Sequence, residues 1–364
     1  MIRFRLGFSY LLACLLAVLL AQTFEAKVRA ADQPHTIPVV GDVVGAHDPS
    51  IIKDGDTWYL FTTTPPNTKT PDQFPIRCSS DLVNWKLCGH VFSDIPAWIK
   101  NDSPKTRELW APDISYFDGQ FHLYYAYSSF GSNVSGIALL TNQTLDPQSP
   151  DYHWVDEGLV LKSKAEDDFN AIDPNLVLDA KGQAWLAFGS FWSGIKMRKL
   201  DRKTGKLSTG DTTLYSLATR AKPEHFDPPP PGLPPNYEAI EAAFIVHHDK
   251  YYYLFVSWDL CCRGTKSTYR TMVGRAKAVT GPYRDADGKK MMDGAATPLL
   301  SANQKWLGPG GESVLLQKDG DDIIVFHAYD AKTGIPALQI STLTWTGGWP
   351  HAALDGNSAD STGK

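Results

Sequence analysis

Asp48-Pro-Ser-Ile-Ile-Lys-Asp-Gly-Asp-Thr-Trp-Tyr-Leu-Phe61 reads as one β-hairpin. An acidic residue opens it, a short β-branched strand follows, Asp54-Gly55-Asp56 supplies the turn, and an aromatic strand returns. The pattern recurs four times, beginning at Asp113-Ile-Ser-Tyr-Phe, Asp173-Pro-Asn-Leu-Val-Leu, Glu241-Ala-Ala-Phe-Ile-Val and Glu312-Ser-Val-Leu-Leu. The leading acids lie 65, 60, 68 and 71 residues apart. Equivalent positions of a closed repeat converge on one axis, so acids that open the same strand of different repeats share one pocket.

Each copy continues into another pair of short strands. Pro75-Ile-Arg-Cys precedes Trp85-Lys-Leu-Cys, Gly136-Ile-Ala-Leu-Leu precedes His153-Trp-Val-Asp, and Gly194-Ile-Lys-Met precedes Gly205-Lys-Leu-Ser. The runs are β-branched or aromatic, cut by Gly, Asp, Asn and Pro, and no stretch sustains a helical period. Four strands in each of five units predict an all-β chain folded as a five-bladed β-propeller, an arrangement with few exposed sheet edges. The excess length over common propeller repeats falls into loops at 65–75 and 221–235, the second holding Pro228-Pro-Pro-Pro-Gly-Leu-Pro-Pro. The polar stretch 355–364 reads as a disordered tail, which leaves 31–354 for the propeller.

The opening residues predict export. Arg3 and Arg5 precede an apolar run from Leu6 to Ala21, and Val28-Arg29-Ala30 offers a small-residue cleavage site, so 1–30 reads as a signal peptide. The expected location is secreted, extracellular or periplasmic, with no membrane association after the signal is removed. Composition is 43% hydrophobic and 12% aromatic with a net charge of −5. That provides a core but no basic patch for nucleic acid, and it favours a neutral partner bound by a monomer. Cys78 and Cys88 flank a strand-turn-strand that a short bridge could close. Cys261 and Cys262 are adjacent and fit neither a zinc pattern nor an ordinary disulfide framework; both pairs stay unassigned.

Three of the leading acids stand out by context. Asp48 and Asp173 precede proline after Gly45-Ala-His47 and Asn170-Ala-Ile172, and Glu241 follows Glu238-Ala-Ile. Carboxylates gathered on one axis repel one another and titrate apart, which suits acid–base work: one charged, one protonated near neutral pH. Their alternative use is to bond backbone N–H groups at a blade entrance. Strand aromatics such as Tyr124, Tyr125, Tyr252 and Phe255 belong to blade packing. Trp110 and Trp192 sit at strand ends beside turns, where a flat ring can hold a sugar.

His47-Asp48-Pro49, Trp110-Ala-Pro-Asp113, Asn170-Ala-Ile-Asp173-Pro, Ile240-Glu241-Ala, Cys261-Cys262-Arg-Gly-Thr-Lys-Ser-Thr-Tyr269, Gly308-Pro-Gly and Phe326-His327-Ala-Tyr-Asp330 together resemble the family 43 glycoside hydrolases, in particular the endo-α-1,5-L-arabinanases. The resemblance implies hydrolysis of internal α-1,5-L-arabinofuranosidic bonds of arabinan, a pectin side chain, in one inverting displacement. Asp48 then matches the general base, Glu241 the general acid and Asp173 the carboxylate that tunes the acid. Inversion requires the two working carboxyls roughly 6.5–9.5 Å apart, to admit a water. His47, Trp110, Phe130, Gly131, Asn170, Ala171, Ile172, Ser190, Phe191 and Trp192 match substrate-lining positions. His327 matches a histidine beside a calcium ion held largely through water. Ala243-Phe244 stands where many relatives carry Pro-Tyr, and Gly310-Gly-Glu312 where a histidine often follows glycine. Glu312 matches no catalytic role and reads as structural. The alternatives are an exo-acting arabinofuranosidase or β-xylosidase of the same family, or a noncatalytic carbohydrate-binding propeller.

Overall fold

The structure, a computed structural model, describes residues 33–66, 70–220 and 237–356. The expected signal peptide, the 221–235 loop and most of the expected tail lie outside the described residues. Asp355 is within them, and it pairs with Lys305 while its carbonyl accepts the Asn303 amide at 2.8 Å.

Five sheets follow one another along the chain, antiparallel except where the two-residue strand Val40–Gly41 pairs parallel with the outer strand of the first. Blade 1 has strands Ser50–Asp54, Thr57–Phe61, Gln73–Ser79 and Asn84–Phe92. Blade 2 has Leu109–Phe117, Gln120–Tyr127, Ser135–Asn142 and Val155–Ser163. Blade 3 comprises Asn175–Leu178, Ala184–Phe188, Ile195–Asp201 and Tyr215–Ala218, and blade 4 Ile240–His248, Tyr251–Trp258, Arg270–Ala276 and Thr297–Leu300. Blade 5 takes Trp306–Leu315, Ile323–Asp330 and Pro336–Thr342 from the end of the chain, and its outer strand, Thr36–Ile37, from the beginning. The all-β, five-bladed propeller expected from the repeat is the observed fold. The closing strand is two residues long, too short to leave a pattern in the sequence. The first expected loop ends earlier than read, because Gln73 already belongs to a strand.

Five apolar clusters lie between consecutive blades, and one of them closes the ring. There Ile51, Leu60 and Trp85 of blade 1 pack on Ile323, Val325, Leu338 and Ile340 of blade 5. Tyr124, Tyr125 and Phe255 are fully buried and Tyr252 nearly so, in agreement with their reading as packing residues. Each fully buried aliphatic or aromatic side chain contributes about 1.5–3 kcal/mol.

At the channel end of each innermost strand one residue adopts a left-handed backbone: Asp48 (φ 46°), Ala111 (47°), Asp173 (55°), Ala242 (53°) and Gly311 (59°). These five are 63, 62, 69 and 69 residues apart. Regular pairing resumes two residues later, at Ser50, Asp113, Asn175, Phe244 and Ser313. The structure therefore corrects the register read from the acids. Only Asp48 and Asp173 are equivalent; Glu241 lies one residue upstream of that position, Glu312 one downstream and Asp113 two downstream. The physical reason is a bulge at the strand entrance, which shifts pairing between Trp110 and Asp113 and between Glu241 and Phe244.

The polar residues two positions downstream tie the blades together. Ser50 Oγ accepts the Ile114 N–H (3.1 Å), Asp113 Oδ2 the Leu176 N–H (2.7 Å), and Asn175 Oδ1 the Ile245 N–H (2.8 Å). Each bond crosses to the next blade's innermost strand and satisfies a buried donor that has no partner within its own sheet.

Candidate active site

The left-handed strand entrances bring residues of all five blades to one place. A cavity on the axis is lined by Asp48, Asp113, Asp173, Ala242, Gly311 and Glu312, with Pro49, Pro112 and Pro174 between them. The left-handed position of a non-glycine residue costs about 1–2 kcal/mol, and such strain concentrates at functional sites.

Asp48 is the charged member. Burial alone would raise its carboxyl, but His47 Nδ1 lies 2.9 Å from Oδ2 and Thr63 donates its hydroxyl to the same oxygen at 2.5 Å. These contacts, with His327 nearby, hold the group at about 2. Thr63 Oγ also accepts the Ala111 N–H at 2.8 Å, so the bulge of blade 2 fixes the acid of blade 1.

Glu241 is the protonated member. It is buried, and burial, then repulsion from Asp173 and Asp48, pushes it well above the carboxylate range. Ser190 donates to Oε2, which opposes that rise, and Tyr269 donates to Oε1. Asp173 is raised to about 7, first by burial and then by the Asp48 charge, although the Ala242 N–H donates to it at 3.1 Å. The acids thus span the range that acid–base chemistry on one substrate requires.

His47 and His327 stack with centroids 3.6 Å apart. His327 is completely buried, and its basicity falls well below normal through burial and the neighbouring His47. Its Nε2 has no hydrogen-bond partner among the described residues. Nδ1 lies 3.3 Å from the Asp48 backbone nitrogen, whose N–H it accepts when unprotonated, and 3.8 Å from Asp48 Oδ1. His47, Asp48 and His327 form a group whose ligand atoms are close enough to share an ion. In the tautomer that carries its proton on Nδ1, toward Asp48 Oδ1, the open Nε2 fits a metal, with oxygen ligands from water completing the shell of a hard cation.

The expected substrate positions divide. Ser190 contacts Glu241 directly, and the Ser190–Trp192 segment is anchored to the strand bearing Glu241: Phe191 N–H donates to the Ile240 carbonyl and Glu238 N–H to the Trp192 carbonyl, both at 2.9 Å. Trp110 occupies the same register position as His47, Ile172 and Glu241, one residue before the left-handed residue, and is half-buried. Phe130 is 74% exposed, and Gly131 beside it takes φ 78° in the turn. Asn170 and Ala171 are buried, the first accepting from Ser135 (2.7 Å) and the second donating to Ser163 (2.9 Å), so they shape the segment before Asp173 from below.

Thr63, Tyr269 and Tyr329 are site residues that sequence reading passed over. Tyr269 and Tyr329 lay inside quoted motifs, which was the available signal; Thr63 carried none. Both cysteine pairs are disulfides, Cys78–Cys88 and the adjacent Cys261–Cys262.

Residues 36–350 match the family of Glycosyl hydrolases family 43. The chain belongs to this family and is a glycoside hydrolase. This family 43 chain is 43% identical over 308 residues to the extracellular endo-α-(1→5)-L-arabinanase 1 of Bacillus subtilis, covering 84% of this chain and 86% of that one. It is also 43% identical over 312 residues to the extracellular exo-α-(1→5)-L-arabinofuranosidase ArbA of Cellvibrio japonicus, covering 85% and 86%. The endo-arabinanase structure from Bacillus licheniformis superimposes with a TM-score of 0.76 at 43% identity, over 86% of this chain and 99% of that one. Among the described residues no helix is long and apolar enough to cross a membrane.

Proposed function

We propose that the chain is an exported, inverting endo-α-1,5-L-arabinanase in which Asp48 is the general base, Glu241 the general acid and Asp173 the carboxylate that tunes it. The observation that carries this reading is the split of the acids: Asp48, which lines the axial cavity, is held ionised at about 2, and Glu241, next to the cavity-lining Ala242, is kept protonated. Asp48 would take a proton from a water attacking the anomeric carbon, while Glu241 passes its proton to the departing sugar oxygen. Ser190 and Tyr269 hold the acid's two oxygens, and Thr63 and His47 hold the base. Trp110, Phe130 and Trp192 offer ring faces to a neutral chain of sugars. His327 would hold a calcium ion through its open nitrogen, largely with water as the remaining ligands. When bound, that cation supplies positive charge that favours the ionised form of Asp48.

The similarity to an extracellular endo-arabinanase supports the endo mode and export. An equal identity to an exo-acting arabinofuranosidase favours the second reading, release of single residues from a chain end. Time-resolved product analysis on linear arabinan separates them: early oligosaccharides support the endo mode, and monosaccharide or short uniform products alone reject it. Proton NMR of the first-formed anomer tests inversion.

A further inference from the structure

The Cys261–Cys262 disulfide lies on the rim of the site, with Cys262 exposed and Cys261 half-buried. Cys262 has φ 64°. Its backbone N–H donates to the Tyr329 hydroxyl at 2.8 Å, and that hydroxyl lies 2.7 Å from His47 Nε2. His47 Nδ1 in turn lies 2.9 Å from Asp48 Oδ2. The amide donates to Tyr329, and with Nδ1 facing the Asp48 carboxylate the order that satisfies the chain has Tyr329 donating to Nε2 and Nδ1–H donating to Asp48. This order fixes the ring's tautomer and orientation.

We propose that the Cys261–Cys262 disulfide is a positioning element for the base, acting through Tyr329 and His47, and that its reduction disconnects it. The proposal rests on the reading of Asp48 as base. A left-handed backbone at a non-glycine residue persists only where its surroundings enforce it, and the small ring closed by two adjacent cysteines is one such constraint. A dithiol reductant delivers two electrons and two protons; the S–S bond breaks into two thiols and the reductant closes into its own disulfide. Cys262 is then free to return to negative φ, which turns its N–H away from Tyr329. The change stays local, because the loop is bracketed on both sides. Leu260 N–H donates to Thr268 Oγ (3.2 Å), Thr268 N–H to the Leu260 carbonyl (2.8 Å), and Arg263 N–H to Ser267 Oγ (3.1 Å).

The test compares wild type, Cys261→Ala/Cys262→Ala, Cys78→Ala/Cys88→Ala and Tyr329→Phe on linear arabinan, with and without dithiothreitol. The expected result is a fall in kcat of about 10- to 100-fold, the scale of a misplaced catalytic group, in reduced wild type and reduced Cys78→Ala/Cys88→Ala. In Cys78→Ala/Cys88→Ala, where reduction opens only the adjacent-cysteine bridge, KM and the unfolding midpoint change little, and reoxidation restores kcat. Cys261→Ala/Cys262→Ala is expected to be slow from the start and indifferent to reductant, and adding Tyr329→Phe to it is expected to cost nothing further. Full kcat in Cys261→Ala/Cys262→Ala, or in reduced Cys78→Ala/Cys88→Ala with two thiols titrated per mature chain, overturns the proposal. Additive losses in the triple variant overturn the route through Tyr329. Asp48→Asn run in parallel separates the two readings, since turnover retained there rejects Asp48 as base whatever the cysteine variants do.

Discussion

Asp173 Oδ2 accepts the backbone N–H of Ala242 at 3.1 Å, which ties the third carboxylate to the residue next to Glu241. The two acids are therefore held in a fixed relation across blades 3 and 4, and the Asp173 charge acts on Glu241. Glu241 acts in its protonated form, so turnover falls as pH climbs through its raised value. Burial is the first cause of that rise and Asp173 the second, whereas the Ser190 hydroxyl opposes it. Asp173→Asn is expected to move the alkaline limb of kcat/KM to lower pH, and Ser190→Ala to move it higher. Each displacement is expected to be about one pH unit, equivalent to about 1.4 kcal/mol. Limbs that move together, or not at all, reject Glu241 as the acid.

Asp48→Asn and Glu241→Gln keep size and hydrogen-bonding shape while removing the proton-transfer function. Each is expected to lower kcat on arabinan by about 10²- to 10⁴-fold, with an unfolding midpoint near that of wild type. Azide added to the Asp48→Asn protein needs no base to attack the anomeric carbon, so recovery of rate with formation of a glycosyl azide would support the role. Wild-type-like turnover by either variant rejects it.

The repeat was readable because hairpin turns rich in Asp and Gly punctuate it and because each blade returns an aromatic strand. The repeat marked five leading acids alike, and only the residues beside Asp48, Asp173 and Glu241 set these three apart. Their register was not readable. A bulge adds residues at the strand entrance without changing the alternation downstream, so Asp113 looked like a counterpart of Asp48 although it pairs two positions later. Thr63 and Tyr269 were invisible for a different reason. Each lies in the same blade as its acid but at the end of a different strand, and no local pattern encodes a contact of that kind. The closing strand Thr36–Ile37 owes its place to the edge that blade 5 leaves open.

Gly311 fills the fifth copy of the left-handed position, where blade 5 meets the base. A Cβ built there would lie 2.7 Å from Asp48 Oδ1 and 2.7–2.8 Å from the His327 ring, closer than real Cβ atoms come to any neighbour. Its φ of 59° also favours glycine. Gly311→Ala is expected to fold, because Ala111 and Ala242 tolerate the same backbone conformation. It is expected to lose at least about tenfold in kcat by displacing Asp48. Steady-state kinetics alongside a thermal melt checks this, and unchanged kcat in a folded variant contradicts the close approach.

Asp113 shows that an acid on the axis can serve the fold alone. Its two oxygens accept the Leu176 N–H at 2.7 Å and the Asn175 amide at 3.1 Å, a staple between blades 2 and 3. Burial pushes its carboxyl up to about 7 in spite of both bonds. Asp113→Ala leaves a buried N–H without a partner, so the expected cost is about 1–3 kcal/mol of stability. Turnover by the folded protein is expected to stay close to wild type. Denaturant unfolding and kinetics on the same sample measure both, and a loss of activity exceeding the loss of folded protein would assign Asp113 to the chemistry.

His327 provides the last test, because its completely buried Nε2 has no protein partner among the described residues. An unpartnered polar atom in that position costs stability, and an ion or water bound there relieves the cost. If the ligand is calcium, protein stripped with a chelator should melt lower than protein returned to calcium. A ligand at 100 times its Kd stabilises by about 2.7 kcal/mol. His327→Ala is expected to abolish the calcium-dependent shift and to leave the small response that nonspecific salt produces in both proteins. Magnesium, which demands a stricter geometry and sheds water reluctantly, is expected to substitute poorly. A melting temperature that ignores both chelator and calcium in the wild type would mean that water, not a metal, completes the contacts of His327.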